Sequence, residues 1–472
     1  MLRVCCRGAH VRLSRALSGI AVALLAGCGG PGDGSEGGVQ TPPVPTIDFM
    51  ISGQAVTKVR TAGGVIALLQ ERLTSIFDAG PQRTLEILQN DGHTLRPYVA
   101  PEGWSIVDFA VHPSGDISAV LTTTTRVRIV RVDRSAAVEL DEIFLDPEAA
   151  TDPFYDYDGG VHDANSLQPV LMHDAARLVP LGESLALVLR TGLNAVVAYR
   201  LDRDGTGQYR RAWRTLIEPG SSILGVGITS GSFDTFGQLQ NHLLIHVDVD
   251  AAGTLAIGLV DAPHRSSTFR AHAEYFGEPI AASMGVLVDR VSSVDGRRLG
   301  STAIDTQVLA ELHGLRATPS GFALVGRVFS EARADGTGWN AFAAFIARDG
   351  APGAYSVVDV DRSDVLFDIA ALPGGRYVAV GTTGYTQNPT GASISESAQP
   401  LLAVLNADGS LARNLGFQGG PRHNQLTTVE SLSGKWLLGG MSNGPGTHSG
   451  DSQPALIVAD GFVREDPDIP AQ

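Results

Sequence analysis

Cysteine and positive charge are both scarce in this chain of 472 residues. Its three cysteines all lie within the first 28 residues, so disulfide bonds cannot cross-link the rest of the chain. The 35 Lys and Arg stand against 50 Asp and Glu, which gives a formal charge of −15. Because phosphate recognition depends on clustered Lys and Arg, this balance argues against a nucleic-acid-binding protein.

Glycine, by contrast, is abundant. The chain has 56 glycines, about 12% of its residues against a usual ~7%. Together with 25 prolines they make up about 17%, below the roughly 25–30% that is typical of disordered low-complexity chains. With 43% hydrophobic residues available for a core, the composition predicts an ordered protein with many turns.

The first 27 residues have the pattern of a signal peptide. Four arginines and no acidic residue accompany a short apolar run at 20–25, which is too short to span about 30 Å of hydrocarbon. We therefore predict that residues 1–27 are removed on export. No later run approaches 18 apolar residues, so we expect no transmembrane helix in the body of the protein.

The segment Leu25-Ala26-Gly27-Cys28 resembles the lipobox of bacterial lipoproteins. The resemblance implies that Cys28 is acylated and anchors the protein in a membrane. Gly29 implies the outer membrane, since an aspartate at that position favours retention in the inner membrane. The predicted location is therefore the cell envelope, on the periplasmic or the surface-exposed side. The alternative is an ordinary secretory signal with a chance cysteine.

Residues 28–46 are predicted to be a tether between this anchor and a folded domain. The segment begins with a Gly-rich part and ends with a Pro-rich part, without any cluster of large apolar side chains. The folded domain is predicted to occupy residues 47–472.

One unit recurs through this domain. It contains a Gly-rich turn, a strand rich in Val, Leu and Ala, a loop, a second strand and a turn of the NDG or RDG type, as in LPGGRYVAVGTTG followed by PLLAVLNADGSLARNLGF. Asp and Gly suit such turns because of positive φ angles and local side-chain hydrogen bonds. The second strands are predicted to start near Val65, Ile117, Leu185, Ile223, Phe269, Phe322, Tyr377 and Trp436.

The repeat spacing of about 53 residues predicts an all-β fold, a single β-propeller of four-stranded blades. Eight copies indicate eight blades. Seven is the alternative, because the copy around 269–296 is poor and the stretch before Leu185 is expanded. A two-sheet sandwich is the structural alternative, although sandwiches rarely repeat one signature so often.

The later copies, above all the one starting at Leu372, resemble the delta-60 type of bacterial propeller repeat. In that repeat a strand ending near V-A-G leads to a strand ending N-x-D-G-S. The resemblance implies a propeller fold and a surface protein, and it assigns no chemistry. The sequence departs from it at 131–134, RVDR, where the glycine is missing, so the form of that turn stays open.

Long loops are predicted to concentrate at one end of the propeller. The turns are short, whereas the connections between second and third strands are long: TSGSFDTFGQLQN, SEARADGTGWN, GYTQNPTGASISESAQ and MSNGPGTHSGDSQ. Loops of this length are often functional, and aromatic and amide side chains suit sugars or peptides, although each aromatic could equally be a local packing anchor. The candidate binding residues are Phe236, Trp339, Tyr385, Asn388, Asn443, His448 and Asp451.

An Asp-rich insertion at 146–174 offers candidate metal ligands. Asp156, Asp158 and Asp163 supply oxygen atoms in a Gly-containing loop, as Ca²⁺ requires, but their spacing is not that of an EF-hand. A hydrated acidic loop is the alternative and the simpler interpretation. No other cofactor is predicted.

The sequence is compatible with two classes of function. No phosphate-binding loop and no G-x-S-x-G nucleophile motif is present, which favours a non-enzymatic module that binds a glycan, a peptide or a protein. The alternative is a propeller hydrolase or lyase acting on a polysaccharide or an ester. Two or more acidic or histidine side chains gathered at the propeller axis would favour the enzyme, and an apolar axis would exclude it.

Overall fold

The structure is a computed structural model in which all described residues belong to the unit Val44–Gln472. The predicted signal peptide, Cys28 and the predicted tether lie outside the described residues. No helix in the described part of the chain is long and apolar enough to cross a membrane. The described residues are 55–72, 82–89, 95–123, 126–146, 148, 153–155, 161–163, 176–190, 195–218, 220–221, 245–259, 275–278, 285–308, 310–329, 338–361, 363–384, 399–414, 425–432, 435–443 and 452–459.

The described residues form six four-stranded antiparallel sheets in which strands follow one another in chain order, and we call these sheets blades 1 to 6. Blade 1 contains β1 (Ala55–Ala62), β2 (Val65–Arg72), β3 (Gln82–Gln89) and β4 (Leu95–Val99); blade 2 contains β5 (Ser105–Val111), β6 (Ile117–Thr122), β7 (Val127–Val132) and β8 (Val138–Phe144); blade 3 contains β11 (Ala176–Leu181), β12 (Ser184–Arg190), β13 (Val196–Arg203) and β14 (Tyr209–Glu218).

The second half of the chain continues the same pattern. Blade 4 contains β16 (Ile245–Val249), β17 (Thr254–Leu259), β18 (Gly285–Ser292) and β19 (Arg298–Asp305); blade 5 contains β20 (Ala310–Thr318), β21 (Gly321–Phe329), β22 (Trp339–Ala347) and β23 (Pro352–Val358); blade 6 contains β24 (Val365–Ala371), β25 (Tyr377–Thr383), β26 (Gln399–Leu405) and β27 (Leu411–Asn414), with a 3-10 turn at Pro373–Gly375.

Two smaller sheets complete the described strands. The closing sheet has three strands: β28 (Gln425–Leu432), β29 (Lys435–Asn443) and β30 (Ser452–Ala459). A small sheet joins part of the Asp-rich insertion to the end of blade 3, and its strands are β9 (Pro153–Tyr155), β10 (Val161–Asp163) and β15 (Gly220–Ser221).

The first strands form a closed ring. Each first strand contacts the first strand of the next blade, β24 contacts β28 of the closing sheet, and β28 contacts β1. At this closure the backbone N–H of Val59 donates to Oγ1 of Thr428 at 3.3 Å, and the hydroxyl of Thr427 donates to the carbonyl of Val56 at 2.6 Å. A cyclic array of four-stranded meanders is a β-propeller, so the predicted all-β propeller fold is confirmed.

Middle strands are apolar because each blade packs against a neighbour on both faces. Every residue of β6 is buried, and so is nearly every residue of β12 and β26. The outer strand β8 instead alternates exposed and partly buried residues, as expected for a strand at the rim. The cores therefore lie between adjacent blades, for example a cluster around Phe109 that joins blades 1 and 2.

The prediction of eight blades is wrong for the described part, which forms six blades and the closing sheet. Six of the predicted second strands fall on or beside second strands of the structure, but Ile223 and Phe269 lie outside the described residues. The segment ending in HVDVD was counted as a third strand, whereas it is β16, the first strand of blade 4. The turn that follows contains Asp250 and Gly253, and such a turn occurs after first and third strands alike.

The turns repeat one arrangement of hydrogen bonds. At Asp204 the side-chain Oδ1 accepts the backbone N–H of Thr206 at 2.8 Å and of Gln208 at 3.0 Å. The turn left open by the sequence has the same arrangement around Asp133, with Ala136 in place of glycine at a φ of 62°. The missing glycine therefore does not change the turn, but it puts an L-residue into the left-handed region.

A second repeated contact ties neighbouring blades together at their outer side. A hydroxyl on the fourth strand of one blade donates to a carbonyl in the turn between the third and fourth strands of the next. These bonds are Thr215 to Gly296 at 2.6 Å, Thr302 to Gly350 at 2.7 Å and Ser356 to Asp408 at 2.7 Å. We call them the outer latches.

Candidate functional site

Charged side chains from the first strands meet around the axis of the ring. They come from every blade and from the closing sheet, and acids and bases lie near one another. We call this set the axial charge belt: Lys58, Arg60, Asp108, Arg177, Asp248, Arg316, Asp368 and Glu430.

Asp368 has the largest number of bonds in this belt. Its carboxylate accepts two hydrogen bonds from Arg316, each of 2.8 Å, and further bonds from the hydroxyl of Thr428 at 3.0 Å and the backbone N–H of Val429 at 3.1 Å. Burial alone would raise the pKa of Asp368, but the positive charge of Arg316 outweighs it, and the pKa falls to about 2. This carboxylate therefore stays ionised and joins blades 5 and 6 to the closing sheet.

The bond from an axial aspartate to the backbone of the next sheet occurs three times. Asp108 of blade 2 accepts the backbone N–H of Leu178 in blade 3 at 2.9 Å. Asp248 of blade 4 accepts that of Ala317 in blade 5 at 2.8 Å. The bond between Asp368 and Val429 is the third, and we call the three bonds the axial latches. They connect blade 2 to blade 3, blade 4 to blade 5, and blade 6 to the closing sheet.

Lys58 connects blade 1 to blade 2. Its ammonium group forms a short ion pair with Asp108 and donates to the carbonyl of Phe109 at 3.1 Å. Burial lowers the pKa of Lys58 to about 8, although Asp108 opposes the change. Burial would by itself raise the pKa of Asp108, but the charge of Lys58 lowers it below the ordinary value. At neutral pH both groups are therefore charged.

The axis gathers four acids, the arrangement that was predicted to favour the enzyme, but all four bind other groups of the protein. Asp108, Asp248 and Asp368 accept backbone N–H groups of the next sheet. Glu430 lies 3.7 Å from Arg60 and 3.4 Å from Arg316. The carboxylates of Asp108 and Asp368, each with a lowered pKa and two or more donors, are poor general acids or bases at neutral pH. The belt therefore joins neighbouring sheets of the ring through ion pairs and hydrogen bonds.

A second group of polar residues lies where second strands lead into third strands, at the end that we call the loop face. In blade 5 the guanidinium of Arg327 lies 4.3 Å from the ring centroid of Trp339 and donates to Glu311 at 2.6 Å. Phe329 contacts the same indole edge-on, with centroids 5.5 Å apart. Trp339 remains partly exposed, so its neighbours hold an aromatic ring in a fixed position at the surface. We call Glu311, Arg327, Phe329 and Trp339 the row of blade 5.

Blade 2 has an equivalent row at the same face. Trp104 lies directly before β5, and the guanidinium of Arg128 is 4.4 Å from its ring centroid. Arg128 in turn forms an ion pair of 3.2 Å with Asp141. Trp104 is also partly exposed. Trp104 is not among the predicted binding residues, because these come from the long loops between second and third strands, whereas Trp104 belongs to a short connection between two blades.

Two histidines lie beside the row in blade 5. His313 is 3.4 Å from Glu311, and its ring contacts Phe367 edge-on at 5.2 Å. Burial lowers the pKa of His313, and it lowers that of His246 still further, so both imidazoles are neutral at pH 7. Burial would raise the pKa of Glu311, but His313 and Arg327 bring it to about 2. The row is therefore close to electrically neutral.

The predicted binding residues have different outcomes. Trp339 lies at the loop face, where it was predicted. Asn443 ends β29, and only its backbone position is described. The segment with Phe236 was predicted to join a second to a third strand, but it lies between β15 and β16, so it connects blade 3 to blade 4. The remaining predicted residues are outside the described ranges: Phe236, Tyr385, Asn388, His448 and Asp451.

The predicted calcium site stays a prediction. Asp156 and Asp158 lie outside the described residues, and Asp163 is placed only by its backbone at the end of β10. Within the described ranges, no three His, Cys, Asp or Glu side chains are grouped so that they could hold a metal ion. Asp146, the first residue of the insertion, accepts bonds from Tyr199 at 2.6 Å and Arg214 at 3.0 Å, which fixes this residue to blade 3.

Comparison with known proteins yields similarity of structure only. YCF48 bound to D1 peptide matches with a TM-score of 0.46 and 11% identity, over 89% of this chain and 99% of that one. The β-propeller domain of the Trilobed protease from Pyrococcus furiosus matches with a TM-score of 0.43 and 10% identity, over 90% of this chain and 99% of that one. Polysaccharide lyase Uly1 matches with a TM-score of 0.46 and 12% identity, over 86% of this chain and 90% of that one.

No protein-family profile matches the chain. No curated protein matches it either. With identities of 10 to 12% and TM-scores below 0.5, the three likenesses carry no argument about ligand or reaction. What the chain's own strand order supports is a β-propeller.

Proposed function

We propose that this propeller is a non-enzymatic binding module whose loop face takes a glycan, a peptide or a protein. The observation that carries the proposal is the engagement of the axial acids, since Asp108, Asp248, Asp368 and Glu430 all bind cations or backbone N–H groups within the protein. The longest connections between second and third strands also leave at the loop face, and long loops on a rigid scaffold commonly form binding sites.

We also propose that the module is carried on a lipid anchor at Cys28 in the outer membrane, with residues 28–46 as its tether. The support is the signal-peptide pattern of residues 1–27 and the lipobox-like segment that ends at Cys28.

The binding proposal is tested by comparing a loop-face variant with a turn-face variant. The full chain is screened on arrays of glycans and peptides, and every ligand that binds is also checked for turnover. Replacing 385–398 with a short Gly-Ser linker alters a connection of blade 6 at the loop face, whereas Asp295→Asn alters an exposed turn at the opposite face. We expect the first variant to lose affinity and the second to keep it.

Two results would contradict the binding proposal. One is multiple-turnover cleavage of a polysaccharide or an ester by the wild-type protein. The other is an equal loss of affinity in the loop-face and turn-face variants.

The anchor is tested separately by Cys28→Ala. The wild-type protein should partition with membranes and incorporate labelled palmitate. The variant should lose the label and leave the membrane fraction. Unchanged fractionation without any label in the wild type would show that Cys28 is not acylated.

A further inference from the structure

We infer that the contact between blades 2 and 3, which we call the 2–3 seam, is an acid-sensitive joint, and that protonation of His112 separates the two blades at the end opposite the loop face. The inference goes beyond the proposed binding function and does not depend on it. It starts from the position of His112, which lies in the turn between β5 and β6 with its side chain buried and bonded to blade 3.

A chain of four hydrogen bonds crosses the 2–3 seam. Nδ1 of His112 lies 2.8 Å from the carbonyl oxygen of Gly182 in blade 3, and its Nε2 lies 2.8 Å from Oγ of Ser118 in blade 2. That Oγ is 2.9 Å from the hydroxyl of Tyr209 in blade 3, which accepts a bond of 3.3 Å from Arg131 in blade 2. Three of the four bonds therefore join one blade to the other.

The direction of every bond in this chain is fixed while His112 is neutral. A carbonyl oxygen only accepts, so Nδ1 carries the hydrogen and Nε2 is an acceptor. Ser118 must then donate to Nε2, and Tyr209 must donate to Ser118, while Arg131 donates to Tyr209. In this arrangement each hydrogen of the chain has an acceptor, and each acceptor has a hydrogen.

Protonation of His112 breaks this match. It adds a hydrogen at Nε2 and removes the acceptor of the Ser118 hydroxyl in the same step. The side chains of His112, Ser118, Tyr209 and Arg131 are all buried, so water does not supply the missing acceptor while the seam is closed. A buried donor without an acceptor is unfavourable, and opening of the seam relieves it.

The charges that face His112 belong to a cluster around Arg131. This guanidinium binds Asp116 at 2.7 Å, forms a short ion pair with Glu183 and lies 3.6 Å from Glu139. Burial lowers the pKa of His112, and Arg131 acts in the same direction; the bond to the blade 3 carbonyl and the acids Glu183 and Asp116 oppose this change without reversing it. The acids are already bound to Arg131 and do not stabilise a second cation enough.

The inner and outer sides of the 2–3 seam do not respond to mild acid in this way. On the inner side Asp108 accepts the backbone N–H of Leu178, and its lowered pKa keeps it ionised at pH 5. On the outer side Glu142 accepts the backbone N–H of Tyr209, and burial raises its pKa. A carboxyl group with a raised pKa takes up its proton in the folded state without loss of stability. The acid response of the seam therefore comes from His112.

The neighbouring seam between blades 3 and 4 provides a contrast. Its bonds come from the hydroxyl of Thr215 and the indole of Trp213, which donate to backbone carbonyls of blade 4 and do not titrate in acid. Blade 3 is also attached by the two longest connections between blades, residues 145–175 and 219–244, whereas residues 306–309 join blades 4 and 5. A blade on long connections can move without pulling on its neighbours.

The experiment measures opening of the seam by thiol labelling of the full chain at pH 7.5 and pH 5. Ala110 belongs to the buried cluster between blades 2 and 3, and Ala256 belongs to that between blades 4 and 5. Each is replaced by cysteine in a separate variant. The labelling rate is read by mass spectrometry on the peptide that carries the new thiol, and is divided by the rate of the same variant unfolded in urea at the same pH.

We expect the relative rate in Ala110→Cys to rise roughly tenfold from pH 7.5 to pH 5, because His112 in an opened seam regains an ordinary pKa of about 6.5. The relative rate in Ala256→Cys should change less than about twofold. Adding His112→Gln to Ala110→Cys should abolish the rise, since glutamine cannot take up the proton but can still accept from Ser118. Adding His313→Gln, which removes another buried histidine, should leave the rise intact.

A nitrogen NMR spectrum of the histidine side chains gives a second readout. At pH 7.5 the signal that is missing in His112→Gln should be that of a neutral ring with the hydrogen on Nδ1. If His112→Gln does not melt cooperatively, His112→Asn, which keeps a donor towards Gly182, takes its place.

Four results would overturn the inference. The first is a relative rate in Ala110→Cys that does not rise at pH 5. The second is an equal rise in Ala110→Cys and Ala256→Cys, which would indicate general loosening of the ring in acid. The third is a rise that persists with His112→Gln, which would assign it to another group. The fourth is a hydrogen on Nε2 of neutral His112, which would reverse the chain.

Discussion

Blade 5 uses two arginine–carboxylate pairs for different purposes. Arg316 at the axis binds Asp368 of blade 6, which also accepts the backbone N–H of Val429 in the closing sheet. Arg327 at the loop face binds Glu311 of its own blade and presents its other side to Trp339. An arginine–carboxylate pair therefore joins two sheets when its partners lie on different blades, as Arg316 and Asp368 do. When both partners lie on one blade, as Arg327 and Glu311 do, the pair positions an aromatic ring.

The largest effect is expected from breaking the axial pair. Asp368→Ala removes the carboxylate that binds the buried guanidinium of Arg316 through two hydrogen bonds, so only the longer contact with Glu430 remains, and it removes the acceptor for Val429. Loss of one partner of a buried pair costs about 3–5 kcal/mol. Urea unfolding should show this decrease, whereas Glu148→Gln, which removes an exposed partner of Arg211, should change stability little. Equal stability of Asp368→Ala and wild type would show that the axial latch does not support the ring.

Acid should weaken both pairs over the same range of pH. The pKa of Asp368 and of Glu311 is about 2, below the ordinary values of 3.8 and 4.5. A carboxyl group with a lowered pKa stabilises fully above its unfolded value and loses this contribution as pH falls towards its folded pKa. We expect the free energy of unfolding to decrease by about 2–3 kcal/mol per group between pH 5 and pH 2.

This pH dependence is measured by urea unfolding at pH 7, 5, 4, 3 and 2. In Glu311→Gln the share that Glu311 contributes to the decrease should disappear, while that of Asp368 remains. A wild-type stability that does not change over this range would contradict the lowered pKa values.

Replacing both partners at once should separate the two pairs. Arg327→Met with Glu311→Leu removes a pair within one blade and should cost less than about 1.5 kcal/mol, because apolar side chains of similar size fill the space. Arg316→Met with Asp368→Leu should still cost about 2–3 kcal/mol, since the backbone N–H of Val429 and the hydroxyl of Thr428 lose their acceptor. If the two double variants lose the same free energy of unfolding in urea, the axial pair does not join sheets in a way that the loop-face pair does not.

The smallest effect is expected far from both pairs, in the turn at Asp133. Ala136→Gly relieves a φ of 62° and should stabilise the protein by up to about 1 kcal/mol. The opposite change in the equivalent turn, Gly409→Ala, should destabilise it, since the new Cβ would lie 2.9 Å from the ring of Phe345 at a φ of 80°. Thermal unfolding of the two variants should shift in opposite directions.

Much of the fold could be predicted from the sequence because its strongest signals are local. Glycine turns next to apolar strands give β2, β6 and β25 nearly at their observed starts. The number of blades could not be predicted, because the turn after β16 has the same hydrogen bonds as turns after third strands. A local motif shows that the chain reverses, but it does not show which strand of a blade has just ended.

The candidate site was less predictable because it depends on neighbours distant in sequence. Trp339 could be proposed from its loop, but its contact with Arg327 depends on the pairing of β21 with β22. Asp108 and Leu178 lie in different blades, and nothing local marks either as part of a latch. The axial charge belt could be found only once the first strands were arranged in a ring.

The outer latches also bear on how such a ring could change its size. In each latch a hydroxyl on one blade, such as Thr302, binds a backbone carbonyl of the next, such as that of Gly350. A carbonyl is present whatever the side chain, so the next blade needs only the right turn shape, not a matching residue. A duplicated blade that keeps its hydroxyl and its turn would therefore form the outer hydrogen bonds with its new neighbours without any further substitution at that position.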